Sequence, residues 1–271
     1  MGLDSRFTVL MSVYAKEDPE FFRAALVSIA NGSCVPDEVV IVCDGPLTDF
    51  LFLVIDDFKK ILNIVEVKLE RNVGLGSALN LGLKFCSNKI VARCDSDDIN
   101  RSNRFETQLN FFSRDPDLKI LSGWVEEFDL VPGDLGCVRY TPPCNAIGDY
   151  AKRRNPFNHP CIMFNKDAVI ASGGYRCEHL YEDYALWARM IVSGFKADNV
   201  QDVLVDMRVG SGMYARRGGL KYLVSEFKAQ LYFYRIGLFG FWWLICNLLV
   251  RLPVRIFPNF ARTFVYKCLL R

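Results

Sequence analysis

Lys89-Ile90-Val91-Ala92-Arg93-Cys94-Asp95-Ser96-Asp97-Asp98 is the stretch on which the reading of this chain turns. It is a short, mostly apolar run that ends in three carboxylates. An apolar run bounded by polar residues suits a buried strand of a parallel sheet. In open α/β sheets, ligands bind just beyond the carboxyl ends of the strands. Asp95 and Asp97 stand two apart, so in extended backbone they point to the same side. Two hard oxygen ligands at a sheet edge suit Mn²⁺ or Mg²⁺ carrying a phosphorylated ligand. A lone Asp-x-Asp is more often a solvated acidic turn, so the rest of the chain has to decide.

Working outward, the upstream sequence repeats the same unit. Phe7–Tyr14 is a β-rich run, and Asp18-Pro19 reads as an N-cap followed by Pro at the first helical position of a helix to about Ala30. Glu38–Cys43 is a second apolar strand, ending at Asp44-Gly45-Pro46. A helix over 48–62 and a strand over 65–69 follow. Arg71-Asn72-Val73-Gly74-Leu75-Gly76 then leads into a helix over 77–86. Strand–helix alternation with short loops predicts a mostly parallel, Rossmann-like central sheet flanked by helices. The strand ends at Tyr14, Asp44 and Asp95/Asp97 should open on one edge. The Gly74-x-Gly76 loop is not a dinucleotide fingerprint, because Leu79 stands where the third Gly would be and the loop follows the third strand. A tight turn that lets a ligand approach the backbone fits it better.

Downstream, helices are expected over 104–113 and 145–154, and a strand over 119–128. Pro156-Phe157-Asn158-His159-Pro160 is a rigid loop before a strand over 161–165. Gly173-Gly174-Tyr175 ends the next helix, and Glu182-Asp183 opens another that closes near Gly194. Two short strands, 197–200 and 203–208, complete the body. The expected division is a catalytic domain over 1–217, with a nucleotide-binding half at 1–98 and an acceptor-binding half at 99–217, and a tail at 218–271.

Composition bounds the function. The chain has 271 residues and a net charge of only +2, but the charge is uneven. Residues 207–271 hold eleven Lys/Arg, one acid (Glu226) and 14 of the 36 aromatic residues. That leaves about +10 on the tail and −8 on the rest. Such a tail asks for an anionic surface, read here as membrane lipid and not nucleic acid. The ten cysteines include no Cys-x-x-Cys pair and the N-terminus has no apolar signal segment, so a reducing cytoplasmic compartment is expected. Only His159 and His179 are histidines, which argues against a multi-histidine metal site and leaves a carboxylate-held one.

In this order the pieces resemble the family-2 glycosyltransferases with the A-type nucleotide-sugar-binding fold, over roughly Phe7 to Arg217. The resemblance implies that Val13 and Tyr14 line the base pocket and that Asp44 contacts uracil. The pattern Asn72, Gly74, Ala78, Asn80, Gly82 would border the nucleotide. Asp95 would face the ribose and Asp97 the metal on the diphosphate. Asn155-Pro156, His159-Pro160 and Gly173–Tyr175 match later family segments. In Glu182-Asp183, Asp183 is the implied general base and Glu182 a helper for the loop or a donor hydroxyl. Two departures matter: Cys43 replaces the first of two carboxylates often found after the second strand, and the Gln-x-x-Arg-Trp motif of processive synthases is absent. The first leaves Asp44 alone; the second favours a transferase that adds one sugar per encounter.

The implied chemistry is an inverting, metal-dependent transfer from a nucleotide-diphosphate sugar, with UDP favoured, to a glycan or lipid-linked acceptor in surface polysaccharide synthesis. Trp187 is either an acceptor-sugar platform or core. His159 is a further acceptor-side candidate or a structural loop residue. Arg208, Arg216 and Arg217 could reach the diphosphate or an acceptor phosphate, or form a solvated basic loop. Two other functions use the same features. A sugar-nucleotide pyrophosphorylase would need a Gly-rich loop with Arg after the first strand, where this chain has Ser12-Val13-Tyr14-Ala15-Lys16. A membrane-bound, non-catalytic nucleotide-sugar adaptor would be marked by loss of the Asp-x-Asp or the base, and both are present.

The tail reads as helical and membrane-associating. Residues 231–250 are mostly apolar but interrupted by Arg235 and Asn247, which makes them marginal as a span. Arg251, Arg255, Arg262, Lys267 and Arg271 recur through the aromatic segment that follows, broken by Pro253 and Pro258. Docking on anionic lipid at the inner face of the membrane is expected, against an ordinary C-terminal subdomain or an oligomer contact.

Overall fold

The computed structural model describes residues 6–176, 180–210 and 219–256. In chain order these form β1 (Phe7–Val13), α1 (Pro19–Ala30), β2 (Glu38–Cys43), α2 (Asp49–Phe58), β3 (Ile64–Lys68), α3 (Leu75–Gly82), β4 (Ile90–Cys94) and β5 (Ile99–Asn100). Then come α4 (Arg104–Arg114), β6 (Leu118–Phe128), β7 (Cys137–Arg139), α5 (Ile147–Ala151), β8 (Met163–Asn165), α6 (Lys166–Ala171), α7 (Glu182–Val192), β9 (Lys196–Arg208), α8 (Leu220–Arg235) and α9 (Phe241–Ile256). Local chemistry sets the helix starts. Asp18 caps α1 by accepting from the Glu20 N–H at 2.8 Å, with Pro19 at the first helical position; such a cap is worth about 1 kcal/mol.

One sheet runs through the molecule in the order β3-β2-β1-β4-β8-β6-β9-β5, with β7 on the side of β6. Strands β3, β2, β1 and β4 pair in parallel. The expected mostly parallel sheet holds for this half, and beyond it the pairing is mixed. β8 is antiparallel to both β4 and β6, and β5 and β7 are also antiparallel to their neighbours. The reason is local: β8 is entered from the 155–161 loop at the edge where β4 ends, so it can only run back the other way. The two strands expected over 197–208 are one strand, β9, parallel to β6 with register breaks beside Gly123 and Trp124. The helix expected over 145–154 is a 3₁₀ turn, Cys144–Ala146, followed by the short α5.

Alternation along each strand divides the core between two faces. On one face, Val9, Met11, Ala92 and Cys94 pack with Phe22, Leu51 and Phe105 of α1, α2 and α4. On the other, Leu10, Val42 and Val91 pack with Leu79, Val169 and Trp187 of α3, α6 and α7. The eight described cysteines are free, and Cys43, Cys86, Cys94 and Cys161 are simply core residues.

The tail forms a helical hairpin. The apolar stretch 231–250 is split by Gly237 at φ 81° between α8 and α9, and among the described residues no helix is long and apolar enough to cross a membrane. The hairpin shares a core with α5 and α7: Ala229, Phe233 and Leu244 pack on Ala151, Tyr184 and Ala188. Glu226, the tail's one acid, is fully buried and accepts from Tyr181 Oη, Gln230 Nε2 and Arg251 Nη1.

Candidate active site

Parallel register brings the ends of β1, β2 and β4 to one edge: Val13 lies opposite Cys43, and Met11 opposite Cys94. Antiparallel β8 starts at that edge, which carries His159 and Pro160 to the side of β4. The Arg93 N–H donates to the Ile162 carbonyl at 2.9 Å. β6 and β9 also finish there, at Phe128 and Arg208.

The nucleotide-side residues form one group. Asp44 is buried, and its two oxygens accept the backbone N–H groups of Val73 at 2.7 Å and Gly74 at 3.1 Å. Asn72 Nδ2 donates to the Asp44 carbonyl at 3.2 Å. Asp44 thereby shapes the 72–74 loop, whose Gly74 stands at φ 86° as the residue before α3. A side chain there would be strained. Tyr14 is 44% exposed at the end of β1, free for a base to stack on. The Val13 side chain is fully buried in the core, so it offers no side-chain surface at the strand end.

The carboxylate group is denser than the sequence suggests. Both Asp95 oxygens are held by the two terminal nitrogens of Arg93. Asp97 is half-buried and carries no such partner. Burial, with Asp95 and Glu17 nearby, pushes its carboxyl up to about 7. Glu17, from the loop after β1, accepts from Ser96 Oγ. Asp98 is buried, accepts the Arg208 N–H at 2.7 Å through Oδ1, and leaves Oδ2 without a partner. Burial and the neighbouring Asp95 and Asp97 hold its carboxyl well above the ordinary range. An under-neutralised carboxylate cluster of this kind fits a cation. Among the described residues, no three His, Cys, Asp or Glu side chains form a ready-made cage. The fit is therefore to a Mg²⁺- or Mn²⁺-type ion that keeps few protein ligands and arrives with phosphates, with Asp97 the available oxygen donor.

On the acceptor side, Asp183 opens α7 and accepts from Asn155 Nδ2 at 2.8 Å. The helix N-terminus and Arg93 favour its charge, yet burial is the larger influence and raises its pKa. Leu180, three residues earlier, is left-handed at φ 69°, an unfavourable conformation for a branched side chain that turns the chain into α7. Glu182 lies over the first turn of α3, where a Cβ built on Gly76 would sit 2.9 Å from its Cγ. Gly174, at φ 62°, presses on Asn80, whose Oδ1 would be 2.2 Å from an added Cβ. These two contacts join α3 to the segments around Gly174 and the start of α7.

The structure places three acceptor-side candidates. Trp187 is fully buried among Phe157, Phe164 and Tyr175 and offers no face to a sugar; it is core, placed by the 3.6-residue period of α7. Arg208 is sandwiched between Phe21 and Phe128, and donates to the carbonyls of Asp97 (3.2 Å) and Asp129 (3.1 Å). Its guanidinium braces the Asp-x-Asp loop and is not free for an acceptor. His159 Nε2 is 3.2 Å from Tyr175 Oη, and burial together with Arg93 keeps the ring neutral by pulling its pKa well down. Arg216, Arg217 and His179 lie outside the described residues, as do Arg262, Lys267 and Arg271.

Sequence reasoning missed Arg93, Asp98 and Glu17. Arg93 left a signal, a cation inside an apolar strand and two residues before Asp95. Glu17 left none, because a loop carboxylate has no period to betray it.

The glycosyl transferase family 2 model matches residues 8–174. The chain belongs to the family-2 glycosyltransferases. Over 266 residues this glycosyltransferase is 47% identical to an Escherichia coli UDP-Gal:alpha-D-GlcNAc-diphosphoundecaprenol beta-1,3-galactosyltransferase, covering 98% of this chain and 97% of the relative. It is 39% identical over 264 residues to the amylovoran biosynthesis glycosyltransferase AmsE of Erwinia amylovora, covering 96% and 98%. Among solved structures, S. aureus TarS 1-349 in complex with UDP-GlcNAc superposes with a TM-score of 0.68 at 16% identity, over 98% of this chain and 76% of that one. The Pyrobaculum calidifontis mannosyltransferase PcManGT in complex with GDP-Man and Mn²⁺ gives 0.66 at 17% identity, over 97% and 75%. At those identities the structural likeness speaks for the A-type fold alone.

Proposed function

We propose that this glycosyltransferase moves one galactose from UDP-galactose to the 3-hydroxyl of an N-acetylglucosamine carried on a polyprenyl diphosphate, with inversion. The single observation that carries the reading is the 47% identity, end to end, with the E. coli enzyme named for that reaction. In this reading Tyr14, Asp44 and the 72–74 loop take the nucleoside, Asp95 faces the ribose, and Asp97 holds the divalent ion. A divalent ion, when bound, offsets the charge that builds on the departing diphosphate. The Asp183 carboxylate accepts the acceptor hydroxyl proton as that oxygen bonds to the sugar carbon and the bond to UDP breaks. No side chain in the group serves as a covalent nucleophile, so the displacement is single and the configuration inverts.

The membrane surface belongs to the same proposal. On α8, Lys221, Lys228 and Arg235 are exposed at seven-residue spacing beside exposed Val224, Phe227 and Tyr234. On α9, Phe241, Trp242, Leu249 and Val250 are exposed. Cationic and apolar rows without an exposed acid suit the interface of an anionic bilayer. The reading puts the enzyme at the inner face of the membrane, where a lipid-linked acceptor would be presented.

The deciding assay offers UDP-galactose, UDP-glucose and UDP-N-acetylglucosamine to the purified chain with a synthetic GlcNAc-diphosphate-lipid, with Mn²⁺ and with EDTA. Transfer of galactose alone, abolished by EDTA, is expected. Transfer of glucose or N-acetylglucosamine in its place overturns the donor assignment, and full activity in EDTA overturns the metal.

A further inference from the structure

Arg93 occupies an unusual place. It is the penultimate residue of β4, between two neighbours that pack into the core, and it is 1% exposed. A buried guanidinium pays a desolvation penalty that an apolar residue such as neighbouring Val91 avoids. Stability alone gives no reason for it. Its side chain leaves the strand on the face that packs against α3 and α7, the same side as Asp95. Arg104, buried on the opposite side, fixes the Arg93 backbone by donating to its carbonyl at 2.8 Å.

Two nitrogens of Arg93 engage both oxygens of Asp95, a fork geometry that a lysine cannot reproduce. The third, Nε, is buried without a partner. After burial, the nearby positive charge of Arg93 is a second influence that favours the neutral His159 ring and the ionised Asp183 carboxylate.

We infer that Arg93 is a positioning residue of the donor side: its two-nitrogen fork, leaving the strand on the face packed against α3 and α7, fixes the Asp95 carboxylate beneath the donor. The inference rests on the reading of the Asp95–Asp97 turn as part of the donor site. It gives Asp95 a role distinct from that of Asp97. With both oxygens held by Arg93, Asp95 is an oriented hydrogen-bond acceptor, and Asp97 alone is left to meet a metal.

Two substitutions in the full-length chain separate the fork from the charge. Arg93→Met removes both; Arg93→Lys keeps the charge and loses the fork. If the fork positions Asp95, both substitutions should raise the KM for the donor, Arg93→Lys by about tenfold because one ammonium cannot hold two oxygens, while kcat falls less. UDP affinity, read by calorimetry, gives a measurement independent of transfer and should weaken in parallel. A folded Arg93→Lys variant with wild-type donor KM and wild-type UDP affinity overturns the inference. If Arg93→Met does not fold, Arg93→Lys alone decides it. If the wild-type chain transfers no sugar, the glycosyltransferase mechanism fails by itself while UDP affinity in Arg93→Lys still tests the fork.

Discussion

The side chain of Glu182 occupies the space that any residue larger than glycine would need at position 76: its Cβ and Cγ would lie 3.0 and 2.9 Å from a Cβ built there. The first turn of α3, which follows the 72–74 loop, and the first turn of α7, which carries Asp183, are thus in direct van der Waals contact.

Gly76→Ala tests that contact. The methyl would meet the root of the Glu182 side chain, not its flexible end, so α7 or α3 must shift by a few tenths of an ångström. Alanine in a helix is favoured over glycine by about 1 kcal/mol, which offsets part of the clash. The expected result is a Tm within a few degrees of wild type and a kcat/KM lower by roughly tenfold, because small misplacements of reacting groups are costly. Steady-state kinetics and thermal melts on one preparation decide it, and wild-type kinetics would show that the two turns need no exact spacing.

Asp97→Asn should be inactive and, without metal, more stable than wild type at alkaline pH. In an unfolded chain aspartate titrates near 4, whereas in the fold Asp97 titrates at about 7. A carboxyl raised in the folded state takes stability away as pH climbs between those values, and the loss persists above them. The asparagine variant escapes it. A gain of order 2 kcal/mol at pH 8, vanishing near pH 4, is expected after allowance for partial exposure. Denaturant titrations in EDTA at both pH values measure it. The same titration makes metal affinity fall by about tenfold per pH unit below 7.

Asp183→Asn keeps the shape and the Asn155 neighbour while removing basicity. Nucleotide binding should stay near normal and transfer should fall by roughly 100-fold or more. Because burial raises this carboxyl, the wild-type kcat/KM profile, taken with metal saturating at every pH, should show an acid limb above the ordinary carboxylate range that is absent from the residual activity of the variant. Near-normal transfer would pass the role of base to another carboxylate, with Glu182 first in line.

Lys221, Lys228 and Arg235 on α8 and Trp242 on α9 carry the membrane proposal. Each cation near an anionic surface contributes about 1 kcal/mol, so replacing all three by glutamine should weaken binding to phosphatidylglycerol vesicles by about 100-fold. Trp242→Ala should weaken it further and change the salt dependence little. Soluble-acceptor kinetics should be unaffected by either change. Unchanged vesicle sedimentation, or a shift from dimer to monomer on these substitutions, would instead mark the face as a contact between protein chains.

The first half of the fold was legible because its physics is local. Buried parallel strands are continuous apolar runs, so β2 was located to the residue and β1 and β4 to within one. The second half was harder for a physical reason. β8 is three residues long and β5 two, too short to show a period, and their direction depends on which edge the preceding loop enters. In the site, order in sequence located the residues at the strand ends but could not tell which side chains were already engaged. Trp187 one turn after Asp183 is compatible with a platform or a core residue, and only the packing of α7 on β8 and the 157–175 aromatics settles it as core. Arg208 is likewise a cation near the diphosphate-binding loop in either reading, and the two phenylalanine rings that enclose it come from segments more than 75 positions away.

The bond from Tyr181 Oη to buried Glu226 ties the residue just before the base helix to the hairpin, and Arg251 of α9 shares the same carboxylate. If that hairpin rests on a bilayer, the height of Asp183 above the lipid is built in, as on a ruler. An acceptor of one sugar on its diphosphate would bring its hydroxyl to that height, and one already lengthened would carry its terminal hydroxyl past it. Chain length at this step would then be counted by distance from the membrane.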